Sequence, residues 1–418
     1  MFHPGPRMHS SRVRYAVAAA LLSVAALAGC GSSHKSTTTT TSSTPAPAPP
    51  TTDWPTYGLD AQRTRYLPTN TVKPPYKVAW RYDAGHLMEY SPIVVGDRLY
   101  GIDNNGEAFA LNTANGKPVW RRDVATLNAS APTYADGRLY MSNLEPGQVQ
   151  ALNAQNGKVA WRHSLPGRTE SSPLFADGKV IAGCECGSVY AFDPRTGKEL
   201  WSTSVGGAVK ASPAFDQGTV FVGDYGGRMT AIRAGNGSVE WTASAPNSIY
   251  GTAAVAFGHV YAGDLGGGFH AWNERTGSQS WSTSTGGYVY SAATAAKVPG
   301  TPPSVYFGSY DGTVYALNAL TGSTRWSRSL SGPVSGAGSM VGDVFYAGDL
   351  KTTQTWGLDP RNGHVVFESR DGAYNPVISD GRFLYMTGYR NIYALVPAQG
   401  NSRNGFIVKH HKQAHVAA

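Results

Sequence analysis

The chain has 418 residues, including 50 Gly and 26 Pro, with 11% aromatic residues, only 15% charged residues and a formal net charge of +8. That length holds one large domain or two to three ordinary ones, and a composition rich in turn formers and aromatics argues against a mainly helical protein and for short strands. No run of Lys and Arg interleaved with aromatics occurs, so the positive balance reads as a solvated surface, and no nucleic-acid partner is expected.

The first segment reads as an address. Arg7, Arg12 and Arg14 precede the apolar run YAVAAALLSVAALAG at 15–29, which is short for a membrane span. It ends in Leu27-Ala28-Gly29-Cys30, which resembles the lipobox of bacterial lipoproteins. The expectation is a signal peptide over 1–29 and a lipid on Cys30. A plain secretory signal with a chance cysteine is the other reading. Residues 30–52 carry a Ser/Thr/Pro/Ala tract with nothing to build a core, a tether by composition. Together these place the protein outside the cytoplasm, held to a bacterial membrane by lipid. A lead-in occupies 53–76, and the tail 397–418 includes His410, His411 and His415, which read as a solvated end rather than a metal site.

Between them the chain repeats. ALNTANGKPVW (110–120), ALNAQNGKVAW (151–161), AFDPRTGKELW (191–201), AIRAGNGSVEW (231–241), AWNERTGSQSW (271–281) and ALNALTGSTRW (316–326) are copies of one unit, with a weaker GLDPRNGHVVF at 357–367. The closing aromatics Trp120, Trp161, Trp201, Trp241, Trp281, Trp326 and Phe367 are spaced by 40 to 45 residues, and Trp80 precedes Trp120 by 40. Each period has four short strands joined by Gly-containing turns, the layout of a propeller blade. The YALN-type strand occurs eight times, at 108–112, 149–153, 189–193, 229–233, 269–273, 314–318, 355–359 and 392–396. The eighth copy lacks a Trp strand after it, while KVAW at 77–80 lacks a blade before it. The expectation is therefore an all-β, eight-bladed propeller of four-stranded antiparallel blades over 77–396. Residues 77–81 supply the outer strand of the last blade and close the ring.

The repeat A-x-[DN]-x-x-[TN]-G-x-x-x-W resembles the tryptophan-docking motif of the quinoprotein (PQQ) β-propellers. The resemblance implies that each Trp packs on the next blade, and that the opening DWPTYGLDAQRTRYLP (53–68) is a lead-in lying across the propeller. Two branches compete. The PQQ-dependent dehydrogenases imply a quinone against an adjacent-cysteine disulfide, with Ca²⁺. This chain has no Cys-Cys pair, and no cluster marks a Ca²⁺ site. The BamB-like, non-enzymatic lipoproteins fit the lipobox, the tether and the bare propeller. No catalytic residue, cofactor or metal is expected under that reading. PQQ and calcium enter only under an alcohol or sugar dehydrogenase alternative, and a carbohydrate or cell-wall binding module is a third reading. The expected partners are the membrane, through the anchor, and an envelope protein, with the propeller itself monomeric.

Two groups of residues stand out within the repeat. Cys184 and Cys186, in IAGCECGSVY, fall in the turn between the second and third strands of blade 3, where other blades use Asp224, Asp264 or Ser309. They read as a local disulfide, as free thiols or as a redox or metal site. Two cysteines alone cannot fill a zinc site. The aspartates Asp224, Asp264 and Asp349 read as turn caps. The second group lies three residues before the Ser-Pro proline position, where the chain should reach the mouth of the central channel. Glu89, Glu170, Lys210, Tyr250 and Tyr290 stand there, with Ala129 and Ser335 in blades 2 and 7. Mixed charge with tyrosine suits a protein or small-ligand contact; an ordinary solvated loop is the alternative.

Overall fold

The computed structural model describes residues 52–69, 71–372 and 377–398. Cys30, the tether and the histidines of the tail lie outside them. Blade 3 shows how the sequence builds a unit. Leu174–Ala176, Lys179–Cys184, Ser188–Phe192 and Glu199–Ser204 pair antiparallel in chain order. The second and third strands are buried on both faces, as KVIAGC and SVYAF require. The fourth alternates and buries Trp201. Seven sheets follow this plan, from Ile93–Val95 in blade 1 to Val365–Ser369 in blade 7.

The eighth blade joins the two ends of the chain. Tyr76–Asp83 pairs antiparallel with Asn391–Pro397 as the outer strand of a sheet that continues through Leu384–Thr387 to Ile378–Ser379. The ring is thus an eight-bladed propeller closed by its N-terminal strand, as the unpaired KVAW predicts. No helix among the described residues is long and apolar enough to cross a membrane.

One contact recurs around the ring. The indole Nε1 of Trp80, Trp120, Trp161, Trp201, Trp241, Trp281 and Trp326 donates to a carbonyl of the next blade, at Thr113, Ala154, Pro194, Ala234, Glu274, Ala319 and Pro360 respectively, over 2.7–3.0 Å. Three residues after each acceptor stands a glycine on which the same ring lies. At Gly197 (φ +72°) a Cβ would fall 2.5 Å from Trp161 Cε3, so both the positive φ and the close approach demand glycine. Phe367 has no indole N–H, and the eighth blade explains why none is needed. Its third and fourth strands come from opposite ends of the chain, so no turn joins them to offer a carbonyl and a glycine. Phe367 instead packs edge-on against Tyr76 at 5.3 Å.

The lead-in runs along the inner edges of the blades. Each innermost strand leaves a channel-facing edge, and the N–H groups of Val94, Tyr134, Phe215, Val255, Ala295 and Met340 all donate to lead-in carbonyls. The acceptors are Trp54, Pro55, Ala61, Gln62, Thr64 and Arg65, at 2.8–3.0 Å. Tyr66–Leu67 then adds to Ser339–Val341 as a parallel strand. Arg63 and Arg65 are buried within this ribbon. The Arg63 guanidinium donates to the carbonyls of Pro213, Pro173, Ser172 and Tyr57 and to Thr56 Oγ1, joining blades 3 and 4 to the lead-in. Arg65 donates to the carbonyls of Arg63 and Ala293, and stacks 4.7 Å from the Tyr57 ring. Both residues have positive φ, 59° and 56°, an uncommon conformation that these bonds hold in place.

Replacing Arg63 by Ala would strand several buried carbonyls. We expect a loss of about 3 kcal/mol or more in urea unfolding, with Arg63→Lys only partly restoring it. Gly197→Val should cost about 2–4 kcal/mol by the same measurement, through the clash with Trp161 and the positive φ.

Glu274, whose carbonyl receives Trp241, predicts a pH effect. Burial, then a hydrogen bond with Asp216, raise its carboxyl from 4.5 to about 7. Between those values the folded chain holds a proton that the unfolded chain has lost, so stability falls as pH rises through this window. Glu274→Gln should flatten the dependence of Tm on pH between about 4 and 8 relative to the parent, a window that spans those two values.

Candidate functional site at the channel mouth

Two sets of loops meet at one end of the channel. The first set links the outer strand of one blade to the inner strand of the next and carries Glu89, Glu170, Lys210, Tyr250 and Tyr290. The second is the turn between the second and third strands. Its backbone docks on the first set at a fixed offset: Asn104, Glu185, Tyr225, Leu265, Tyr310 and Leu350 donate their N–H to Leu87, Arg168, Ala208, Ser248, Tyr288 and Pro333 at 2.8–2.9 Å. Every acceptor stands two residues before the first-set position. Each of these blades therefore offers two side chains side by side, one from each loop.

These positions surround a concavity of about 260 Å³ lined by Glu89, Tyr90, Lys210, Tyr250, Tyr290 and Tyr310, among others. Tyr57 of the lead-in supports it, meeting Tyr90 edge-on at 5.5 Å in a cluster with Ala131, Ala292 and Ala337. Four of the five residues singled out in the sequence line the cavity. The fifth, Glu170, reaches it through its partners: Oε1 accepts from Lys210 Nζ at 2.7 Å and Oε2 from the Tyr250 hydroxyl at 3.1 Å. Ser335 also lines it, whereas Ala129 is buried elsewhere.

Sequence reasoning passed over the second set. Glu185, hidden between two cysteines, lies 3.5 Å from Lys210 Nζ through Oε1. Tyr225 lies under the same ammonium at 5.6 Å. Tyr225, Tyr250, Tyr290, Tyr310 and Tyr288 then form a continuous aromatic chain with centroid separations of 4.9–6.1 Å. The signal was available: Glu185, Tyr225 and Tyr310 occupy one column of the repeat, directly after the Cys184, Asp224 and Ser309 column.

The electrostatics follow from this crowding. Burial works against the Lys210 ammonium, but the hydrogen bond and charge of Glu170, with Glu185 and Tyr225, outweigh it and hold its pKa above the ordinary lysine value. Burial, then the charge of Glu170, raise the Glu89 carboxyl, against a hydrogen bond from Asn104 Nδ2. Burial, then Glu170, push the Tyr250 phenol well up, so it stays neutral and keeps donating.

Cys184 and Cys186 are joined as a disulfide at the rim, and the Cys186 N–H points to Cys184 Sγ at 3.1 Å. In the equivalent turns Asp224 Oδ1 accepts the N–H groups of Gly226 and Arg228, and Asp264 Oδ1 those of Gly266 and Gly268. The Asp349 carboxylate likewise takes the Thr352 N–H. The aspartates cap turns, and the cysteine pair replaces such a cap. Among the described residues no group of three or more His, Cys, Asp or Glu converges as a metal site.

The mouth also decides how well a PQQ cofactor fits. That quinone carries three carboxylates; of the lining residues Glu89 would repel them, and Lys210, the only basic one, is already engaged by Glu170 and Glu185. The disulfide does not line the cavity. The residues present do not fit the group.

Eight closed blades, docked by tryptophan and glycine, define a propeller of the PQQ-like repeat class. The chain belongs to the family described as outer membrane protein assembly factor BamB, which matches residues 72–283 and 285–409. Among solved structures it is similar to BamB from Moraxella catarrhalis, 19% identical with a TM-score of 0.65, covering 82% of this chain and 100% of that one. It is also similar to the quinohemoprotein alcohol dehydrogenase ADHIIG from Pseudomonas putida HK5, 13% identical with a TM-score of 0.72, covering 88% and 82%. At such identities these likenesses show the fold alone. A curated relative, the glycerol dehydrogenase large subunit of Gluconobacter thailandicus, is 35% identical over 94 residues, which is 19% of this chain and 13% of that protein. The chain thus matches only a small part of the length of its curated relatives.

A two-residue separation closes too small a loop to constrain the unfolded chain much. Cys184→Ala with Cys186→Ala should therefore shift stability by less than about 1 kcal/mol, read by denaturant unfolding.

Proposed function

We propose that this chain is a lipid-anchored envelope scaffold of the BamB-like kind, which binds a protein partner through the channel mouth and performs no chemistry of its own. The observation that carries this reading is the make-up of the mouth. Tyrosines and paired charges on adjacent loops, with Tyr288 51% exposed, have the composition of a protein contact, whereas Glu89 and an already engaged Lys210 disfavour an anionic quinone. Family membership supports the same reading. The anchor at Cys30, on the signal-peptide pattern before it, would hold the propeller at the outer face of a membrane, spaced off by the tether.

The second reading, a PQQ-dependent dehydrogenase, draws on the 94-residue match to a glycerol dehydrogenase subunit. Reconstitution with PQQ and Ca²⁺ separates the two. The scaffold reading expects no bound quinone absorbance and no alcohol- or sugar-dependent dye reduction.

For the partner, Glu170→Lys and Lys210→Glu combined with Tyr250→Ala is the direct test. Reversing both charges keeps the pair between positions 170 and 210 but sets a second carboxylate beside Glu185, so an unchanged near-UV spectrum must accompany the capture result. Affinity capture from envelope extracts should lose the partner that the parent chain retains, and unchanged capture would reject the proposed surface.

A further inference from the structure

We infer that the channel mouth is a recognition site for an organic cation, an alkylammonium or guanidinium group, seated beside Glu89 against the rings of Tyr90, Tyr250 and Tyr290. The inference rests on the same mouth that the scaffold reading uses, and it names the chemistry recognised there.

The protein already contains one worked instance of such a site. The Lys210 ammonium lies 2.7 Å from Glu170 Oε1, 3.5 Å from Glu185 Oε1 and 5.6 Å from the centre of the Tyr225 ring. Carboxylates at the side and an aromatic face beneath are the ingredients of cation recognition. The other side of the mouth repeats those ingredients without a cation. Glu89 lines the cavity, and its Oε2 accepts from Asn104 at 2.9 Å. Among the described residues no hydrogen bond reaches its Oε1. Tyr90, Tyr250 and Tyr290 line the same cavity, and the last two meet edge-to-face at 5.0 Å. Lys210 is the only basic residue among the lining residues.

Charge points the same way. Lys210, the one ammonium of the lining, is already engaged by Glu170 and Glu185, so Glu89 lines the cavity without a cation of its own. A bound cation would relieve the repulsion between Glu89 and Glu170 that already raises the Glu89 carboxyl. A neutral sugar would leave that repulsion in place, and an anion would add to it. The volume, about 260 Å³, suits a group the size of a basic side chain or a small diamine rather than a drug-sized ligand.

The cation can come from two sources: a free amine, or a Lys or Arg side chain presented by a partner. Calorimetric titration of the whole folded chain with cadaverine and with Nα-acetyl-lysinamide tests the chemistry and ranks the sources. Glucose and citrate serve as neutral and anionic controls. We expect saturable binding of at least one cation, at least about tenfold tighter than either control. Tighter cadaverine assigns the site to free amines, and tighter acetyl-lysinamide assigns it to a presented side chain. Glu89→Gln, which keeps the shape and the bond to Asn104, should weaken binding by about tenfold or more with an unchanged near-UV spectrum. Tyr290→Phe should retain binding, and Tyr290→Ala should lose it. No saturable heat with either cation up to about 10 mM, equal binding of glucose or citrate, or indifference to Glu89→Gln would each overturn the inference. Loss of amine binding with partner capture intact sinks this inference alone. Amine binding with no partner captured sinks the scaffold reading instead.

Discussion

Eight inner strands around a channel create eight edges whose backbone groups face inward, and the whole arrangement depends on how those groups are satisfied. Buried amides without partners cost on the order of 1–3 kcal/mol each. Here a single extended segment answers six of them in turn, from Val94 to Met340. Two buried arginines bind carbonyls that the segment's own backbone does not reach. The consequence is functional as well as structural. The lead-in runs along the inner strands, and a concavity lies where the interblade loops converge, with Tyr57 beneath it.

The ring itself was legible in the sequence because each docking contact constrains two positions at once. A Trp whose ring lies on a glycine, and whose N–H meets a carbonyl three residues earlier, fixes the motif from both ends. The same logic exposed the closing strand, since Trp80 had no blade of its own. The weak copy at Phe367 has a physical cause in the composite eighth blade, where no covalent turn offers a docking site. The path of the lead-in was not legible. Arg63 and Arg65 are charged, and charged residues ordinarily read as surface. Only the demand of inward-facing carbonyls takes them inside. Half of the mouth was legible from one repeat column. The other half, above all Glu185, was masked by the cysteines beside it, although Tyr225 and Tyr310 stand at the same repeat position.

The two branches of the resemblance separate at this mouth. The shared fold places a cavity at the same kind of location whichever chemistry it serves, so fold alone does not choose between them. The side chains do. Glu170 and Glu185 hold Lys210, Glu89 lines the cavity together with Tyr250 and Tyr290, and the cysteine pair caps a turn instead of forming a platform. The arrangement favours recognition of positive charge and aromatic contact over retention of a tricarboxylate.

The account turns on the lead-in being part of the channel wall, and amide hydrogen exchange on the intact chain tests that most directly. The N–H groups of Phe215, Val255, Ala295 and Met340 should exchange as slowly as the central strand amides of their blades, because each is bonded to a lead-in carbonyl. Exchange of these four at the rate of exposed loops would contradict the account, since the lead-in would then not hold the inner strands and the mouth would lack the support of Tyr57.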